Sequence, residues 1–283
     1  MPLLSIVIPC LNGAATLGRQ LDAISNQLDG FNVEIVVADN GSSDRTHAIV
    51  REYAERDPRF RLIDASERRG VSAARNAGVR AARGEFIVLC DADDEVRPGW
   101  LSAYLAVMNL GISLAGGAAE RTTQSGRVLK HERGLYQDFG HLAWPIGANC
   151  GFSRAMFDRV GGFDESYRGG CDETDFFWRA QYFGEDVFAV EDAVITYFVR
   201  GDVRGIAKQQ FQYGLMSAKL FREHRKHGMP RSSFLRACGA WGIGLARLVI
   251  GLADRQEFAR GLTGISKRAG RLVGSLRMRV FYP

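Results

Sequence analysis

No CxxC pair occurs in this sequence, and its five cysteines (Cys10, Cys90, Cys150, Cys171, Cys238) are odd in number and widely spaced. That pattern argues against a disulfide framework and a zinc site, and it fits a reducing compartment. No basic segment followed by an apolar stretch and a cleavage site opens the chain, because the apolar run at residues 3–8 is far too short for a signal peptide. The stretch from Ala237 to Ala253 has 17 residues with Arg247 inside it, short of the roughly 20 apolar residues a membrane span needs. Glycine-rich phosphate loops are missing too: PCLNGAATLG, after the first apolar run, holds neither GxGxxG nor GxxxxGK[ST], which excludes a dinucleotide dehydrogenase and a P-loop enzyme. Internal repeats and low-complexity segments are absent. These absences describe an intracellular protein whose phosphate chemistry, if it has any, rests on something other than a glycine loop.

What is present begins with a core: 46% of the 283 residues are apolar. The net charge of +5 conceals an asymmetry. Residues 219–283 hold 14 Lys/Arg and 3 Asp/Glu, a balance of +11, which leaves residues 1–218 with 23 against 29, or −6. We therefore read residues 1–218 as an acidic body, the catalytic domain if the chain is an enzyme, and 219–283 as a basic helical segment. Flanked by Arg231, Arg236, Arg255 and Arg260, the apolar stretch of that segment suits the plane of an anionic membrane surface, with a helical hairpin packed on the catalytic domain as the alternative. Nucleic acid is not expected as a partner. The location implied is cytoplasmic, peripheral on the inner face of the cell membrane.

Four short apolar runs at residues 3–8, 33–38, 60–63 and 85–90 have the length and β-branched content of buried strands. Helical patterns separate them, at Ala14 to Leu28, Asp44 to Arg56 (after the capping candidates Ser42 and Ser43) and Val71 to Ala82. Strand and helix in alternation predict an α/β fold, a mostly parallel twisted sheet with helices on both faces. Further on, Gly116 to Lys130 reads as short strands with turns, Ser153 to Val160 as a brief helix and Thr174 to Phe183 as an amphipathic one; after Arg204 the pattern is helical, broken at Pro230.

Ligands of parallel sheets bind beyond the carboxyl ends of the strands, and three of the four runs are followed there by an aspartate: Asp39, Asp64 and Asp91. Asp44 and Asp64 read as a helix cap or turn former. VLCDADDEV is different, since four carboxylates in five residues repel one another unless a cation sits among them. Asp91 and Asp93 are the candidate ligands, for Mg²⁺ or Mn²⁺ bridging a diphosphate.

SIVIPCLNGAATL, VVADNGSSD, RRGVSAARNAG, the DADD stretch, and GANCGFSRAMFDRVGGFDE followed by CDETDFFWR resemble, in order, the motifs of inverting family 2 glycosyltransferases with the GT-A fold. The resemblance covers roughly residues 3–200. It implies a nucleotide-binding half at 1–95 and an acceptor half at 96–218. Pro9, Leu11, Asn12 and Asp39 would contact the nucleoside, Asp39 accepting from the base. Arg75, and Arg68 or Arg69, would lie near the nucleotide with Ala92; Asp91 would reach ribose or metal and Asp93 the metal. For Arg75, pairing with a structural aspartate is the alternative; Asn76 and Gly78 read as helix geometry. Relatives commonly show Glu-Asp where this chain has Asp172-Glu173, so Glu173 inherits the general-base position with Asp172 as its competitor, and Asp175 reads as a residue favouring the helix start. Some relatives use a histidine here as a further metal ligand, but none stands between His141 and His224, which implies either a weaker metal dependence or Arg200 as a hold on the diphosphate. QQFQYG lacks the Arg-Trp pair of processive synthases, which implies single addition. The expected donor is a UDP-sugar and the acceptor a saccharide or a lipid-linked one. A metal-dependent nucleotidyltransferase and a non-catalytic nucleotide-sugar sensor remain as alternatives.

Overall fold

The computed structural model describes residues 3–199, 202–252 and 254–283, and the chain falls into two compact units. Unit 1 holds Met1–Tyr136, Leu142–Ser166 and Asp172–Val199; unit 2 holds Gln137–His141, Tyr167–Cys171 and Arg200–Pro283. Arg200, Ala253 and the side chain of Arg255 lie outside the described residues.

Unit 1 opens with β1 (Leu4–Cys10), α1 (Leu17–Ser25), β2 (Val33–Asp39), α2 (Thr46–Arg56), β3 (Phe60–Asp64), α3 (Val71–Ala81) and β4 (Phe86–Cys90). The four apolar runs are these strands, and they pair in parallel in the order β3-β2-β1-β4, as helical crossovers require. Next come β5 (Glu95–Val96), α4 (Trp100–Asn109), β6 (Leu114–Thr122), β7 (Val128–Glu132), β8 (Leu135–Tyr136), β9 (Trp144–Pro145), β10 (Asn149–Ser153), α5 (Arg154–Val160), α6 (Asp172–Gln181) and β11 (Phe188–Phe198). The sheet continues from β4 as β10-β6-β11-β5, with β7 on β6; β10 runs antiparallel to both neighbours, whereas β6 and β11 are parallel.

Strand alternation feeds two cores, one on each face. Leu4, Ile6 and Ile8 point to the side of Leu17, Leu21, Trp100 and Tyr104, while Val7, Ile87 and Leu89 point to Val79, Phe157, Phe176 and Phe177. Each fully buried side chain of this size contributes roughly 1.5–3 kcal/mol, so helices are needed on both faces.

Local signals were read correctly at Ser153, whose Oγ accepts from Met156 N–H at 3.2 Å and caps α5. Ahead of α2, Asp44 forms the turn expected of it, while the capping candidates Ser42 and Ser43 do not cap the helix. Asp44 Oδ1 accepts from Thr46 N–H at 3.0 Å, whereas Ser42 and Ser43 bond to Asn12, 30 or more residues away. The strand expected from Gly116 begins at Leu114, and the helix expected from Thr174 begins at Asp172.

Unit 2 contains α7 (Val203–His224), a 3-10 turn (Arg225–His227), α8 (Phe234–Ile250) and α9 (Arg255–Met278). Asp202 caps α7 by accepting from Arg204 and Gly205 N–H, and Ser233 caps α8. Helices α7 and α9 approach at backbone contact: a Cβ on Gly214 would lie 1.8 Å from the Lys267 carbonyl oxygen, and one on Gly270 1.9 Å from that of Phe211. The jump in positive charge at residue 219 falls inside α7. No described helix is long and apolar enough to cross a membrane.

Asn149, fully buried, ties the two halves of the sheet together. Its Nδ2 donates to the Ala118 and Ala193 carbonyls at 2.8 and 2.7 Å, and its Oδ1 accepts from Trp100 Nε1 and the Tyr104 hydroxyl at 2.8 and 2.9 Å. Asn149→Ala strands four buried polar groups and is expected to cost about 3 kcal/mol or more, read as a lower urea midpoint at unchanged m-value.

Candidate active site

Because β1 lies between β2 and β4, the loops after these three strands share one sheet edge. Cys10 stands opposite Asp39 in the register, and Asn40 N–H donates to the Cys10 carbonyl at 2.8 Å. A pocket of about 220 Å³ opens there, lined by Pro9, Leu11, Asn12 and Ala92 together with Asp91 and Asp93. Leu11 is 52% exposed and Val71 38%, an apolar rim that a flat base can cover. Asn12 adopts φ +54°, a left-handed turn that Asn tolerates, and its side chain and amide fasten the loop to Ser42 and Ser43. A Cβ on Gly13 would lie 2.5 Å from Cys10 Sγ, so this position requires glycine for space.

The carboxylate cluster has three members. One oxygen from each of Asp91, Asp93 and Asp94 lies within 4.8 Å of the others. Asp93 is exposed; Asp94 is only 2% exposed, its Oδ1 accepting from Phe198 N–H at 3.2 Å and its Oδ2 meeting no partner among the described residues. Burial, then the charges of Asp91 and Asp93, push the Asp94 carboxyl well above its ordinary range. Asp91 is raised as well, by burial first, with Arg75 opposing and Asp93 adding. An all-oxygen donor set with an orphaned buried oxygen fits a hard divalent cation. Asp94 was not among the ligands assigned from the sequence, although its place in the four-carboxylate run was the available signal. Helix α1 holds the backbone of this loop: Gln20 Nε2 donates to the Asp91 carbonyl at 3.0 Å, Val96 N–H donates to Gln20 Oε1 at 2.9 Å, and Arg19 Nη2 donates to the Asp93 carbonyl at 3.2 Å.

Asp39 is 2% exposed. Its Oδ2 accepts from Gly41 N–H and Ser42 N–H, both at 3.0 Å, and meets His47 Nε2 at 2.8 Å. Burial alone would raise this carboxyl, but the bonds from Ser42, His47 and Gly41 hold it below the ordinary value. Its Oδ1 is buried without a partner among the described residues. Arg69 Nη1 donates to the carbonyls of Asn40 and Gly41 at 2.6 and 3.0 Å, while Arg68 pairs with Glu165 at 3.1 Å. Asn40 clamps the loops by donating to the Ala65 and Arg68 carbonyls and accepting from Gly70 N–H. The sequence reading had not singled it out. Asp64 forms a turn, accepting from Ser66 N–H at 2.8 Å.

Arg75 sits 4% exposed between the two halves of the site. It donates to Asp172 Oδ2 at 2.7 Å and to the Gly147 carbonyl at 3.1 Å, and its Nη2 is 3.4 Å from Asp91 Oδ1. Asp172, 2% exposed, also accepts from Ser72. Glu173 is half-buried beside this pair, and a Cβ on Gly147 would lie 3.0 Å from Arg75 Nη2 and 3.4 Å from Glu173 Cβ. Burial, followed by the neighbouring Asp172, pushes the Glu173 carboxyl well above its ordinary range; Arg75 opposes the shift. Cys171, immediately before the pair, holds φ +64°, a conformation costly for a non-glycine residue. Asp175 pairs with Arg179 one turn on at 2.7 Å. Asn76 brackets Phe163, and a Cβ on Gly78 would lie 2.4 Å from Val7 Cγ1, so both serve packing.

The family profile described as Glycosyl transferase family 2 matches residues 5–161, more than half of the chain. The chain belongs to this family. That assignment makes it a glycosyltransferase and sets aside the nucleotidyltransferase and sensor readings. Among its relatives, the succinoglycan biosynthesis protein ExoA of Rhizobium meliloti is 29% identical over 238 residues, 78% of this chain and 70% of that protein. A GalNAc(5)-diNAcBac-PP-undecaprenol beta-1,3-glucosyltransferase of Campylobacter jejuni is 34% identical over 112 residues, 39% of this chain and 36% of that one. For several relatives the match spans less than half of their length. The mannosyltransferase PcManGT of Pyrobaculum calidifontis, solved with GDP-Man and Mn²⁺, superposes with a TM-score of 0.69 at 19% identity, covering 96% of this chain and 87% of that one. The fold is thus GT-A.

In this transferase Arg75 braces carboxylates contributed by β4 and α6. Arg75→Ala leaves Asp172 buried without its cation, and a loss of roughly 3–5 kcal/mol is expected. Arg68→Ala, at a pair whose arginine is 74% exposed, should stay within about 0.5 kcal/mol. Equal unfolding midpoints for the two variants would contradict this assignment.

Proposed function

We propose that this family 2 glycosyltransferase moves a single sugar from a nucleotide-diphosphate sugar, with UDP-sugars as the expected donors, to a saccharide or lipid-linked acceptor with inversion, in cell-envelope glycan or glycolipid synthesis. The observation that carries this reading is the pocket that joins the apolar rim of Leu11 and Val71 to the carboxylates of Asp91 and Asp93. A nucleoside lies against the rim, with Pro9 and Asn12 shaping the floor and Asp39 Oδ1 accepting from the base or ribose. That oxygen is buried and meets no partner among the described residues, a cost of about 1–3 kcal/mol that a donor N–H or O–H recovers. Arg69 and Arg75 act as braces for the loop and for α6. Asp91 and Asp93, backed by Asp94, would hold Mg²⁺ or Mn²⁺. Bound there, the cation supplies charge neutralisation for the departing diphosphate.

Glu173 is the general base. Asp172 is committed to Arg75 and Ser72, whereas Glu173, next in the chain, is half-buried with its Cβ packed near Gly147. Glu173 takes the proton of the acceptor hydroxyl as that oxygen bonds to the anomeric carbon and the carbon to diphosphate-oxygen bond breaks. One displacement inverts the centre. The relatives named for succinoglycan synthesis and for an undecaprenol-diphosphate glycan support an envelope or glycolipid product. A cytoplasmic enzyme peripheral on the inner membrane face accords with the basic segment.

Asp93→Ala should abolish Mn²⁺-dependent nucleotide binding, measured calorimetrically, without changing the circular dichroism spectrum; unchanged affinity in Mn²⁺ sinks the metal assignment. Glu173→Gln should lower kcat by roughly a hundredfold to ten-thousandfold with donor affinity retained, and Asp172→Asn should instead lower stability. Asp172 and Arg75 are the charged groups that act on Glu173. Since a base must be deprotonated and the Glu173 carboxyl is raised, kcat should climb with pH through a value above the ordinary carboxylate range. That limb should vanish in Glu173→Gln.

A further inference from the structure

Unit 2 contains a cavity of about 470 Å³ into which Arg236 and Arg247 of α8 and Arg260, Lys267, Arg268 and Arg271 of α9 converge, with no acidic side chain in its lining. Some of this charge is compensated nearby, since Glu257 pairs with Arg247 and Arg260, and Arg271 donates to Ser217 and to the Pro283 main-chain oxygen. Arg236, Lys267 and Arg268 meet no carboxylate among the described residues; Arg268 Nη1 reaches only the Gly264 carbonyl of its own helix, at 2.7 Å. Burial and the like charges of Arg271 and Arg247 push the Arg268 guanidinium below its ordinary value, so the cluster is electrostatically unsatisfied. An adjoining cavity of about 510 Å³ shares Arg236, Lys267 and Arg271, adds Arg231, and has Asp138 as its one acid. Three uncompensated cations around one space match the charge of a diphosphate better than that of a single phosphodiester.

The outward face of α8 supplies the second half of the argument. In this 17-residue helix only Gly244 is buried. Around the side opposite Gly244, Leu235 (81% exposed), Ile243, Leu245, Val249 (69%) and Ile250 form an apolar surface with no charge in its middle. Arg236 and Arg247, which line the cavity, border that surface. A helix with an apolar outer face and arginines along one edge has the design of an interfacial membrane element, in which aliphatic side chains enter the acyl boundary and the edge cations meet headgroup phosphates.

We infer that the α8–α9 cavity is a binding site for the diphosphate headgroup of a membrane lipid, gripped by Arg236, Lys267 and Arg268 while the apolar face of α8 lies in the bilayer surface. This deepens, and rests on, the proposed use of a lipid-linked acceptor, by naming the part of that acceptor this chain holds. The full chain, in EDTA so that divalent-cation binding in unit 1 stays out of the readout, is tested by flotation with phosphatidylcholine vesicles. One set carries a polyprenyl diphosphate and another phosphatidylglycerol at matched surface charge. Tighter binding to the diphosphate vesicles is expected, with inorganic pyrophosphate competing and Lys267→Gln/Arg268→Gln losing roughly thirtyfold in affinity for the two charges removed. Leu235→Ser/Val249→Ser should lose vesicle binding and keep pyrophosphate binding.

Equal binding to both vesicle types would reduce the site to general surface charge. Pyrophosphate binding without vesicle preference would overturn the lipid assignment, and wild-type affinity in the charge variant would overturn the cavity. Nucleotide binding in Mn²⁺, measured on each variant, reports that unit 1 is intact. Its failure in the wild type would sink the donor reading while leaving the diphosphate titration standing.

Discussion

One buried guanidinium holds the catalytic architecture together. Arg75, from α3, reaches Asp91 at the end of β4, the Gly147 carbonyl before β10, and Asp172 at the start of α6. A cation buried to this degree survives only because carboxylates and a carbonyl replace its water, and removing either side leaves an uncompensated charge. The pairing also bears on the electrostatics of the site. It holds Asp172 in a direct ion pair, and by approaching Asp91 it opposes the burial and the Asp93 charge that raise that carboxyl.

The protein gathers its charge in two clusters of opposite sign. Unit 1 gathers carboxylates at a strand end, an arrangement stabilised by a divalent cation; unit 2 gathers guanidinium and ammonium groups around a cavity, an arrangement stabilised by an anion. Each cluster is unfavourable as it stands, by Coulomb repulsion in a partly desolvated setting, and an ion of opposite sign would relieve it. The net charge of +5 records neither, because it sums the two.

Folding constraints and site constraints meet at small residues and at amides. Gly13 is free of a side chain because Cys10 Sγ fills that space, Gly147 because Arg75 and Glu173 do. Asn40 and Asn149 each satisfy several buried groups at once, one fixing the loops that follow β2 and β3 and the other joining β10 to β6, β11 and α4. Such networks make loop positions rigid, which a site formed from the ends of separate strands requires.

The sequence by itself determined the strands, since short runs such as VEIVVA are nearly continuous in apolar, β-branched residues that bury both faces, and that pattern is local information. It also determined which loops meet, because parallel pairing puts the carboxyl ends of β1, β2 and β4 on one edge whatever the side chains do. It did not determine partners. Ser42 and Ser43 had the right chemistry for a helix cap, yet their bonds go to Asn12. Arg75 was equally compatible with a nucleotide and with a structural aspartate, and only the fold set it beside a residue 97 positions away. Asp94 could be told from Asp93 only by which way the backbone turned it, one toward Phe198 N–H and burial, the other toward solvent. Polar side chains choose among many chemically equivalent partners over short distances, and that choice is made by where the tertiary structure brings the chain back, not by the residues next to them.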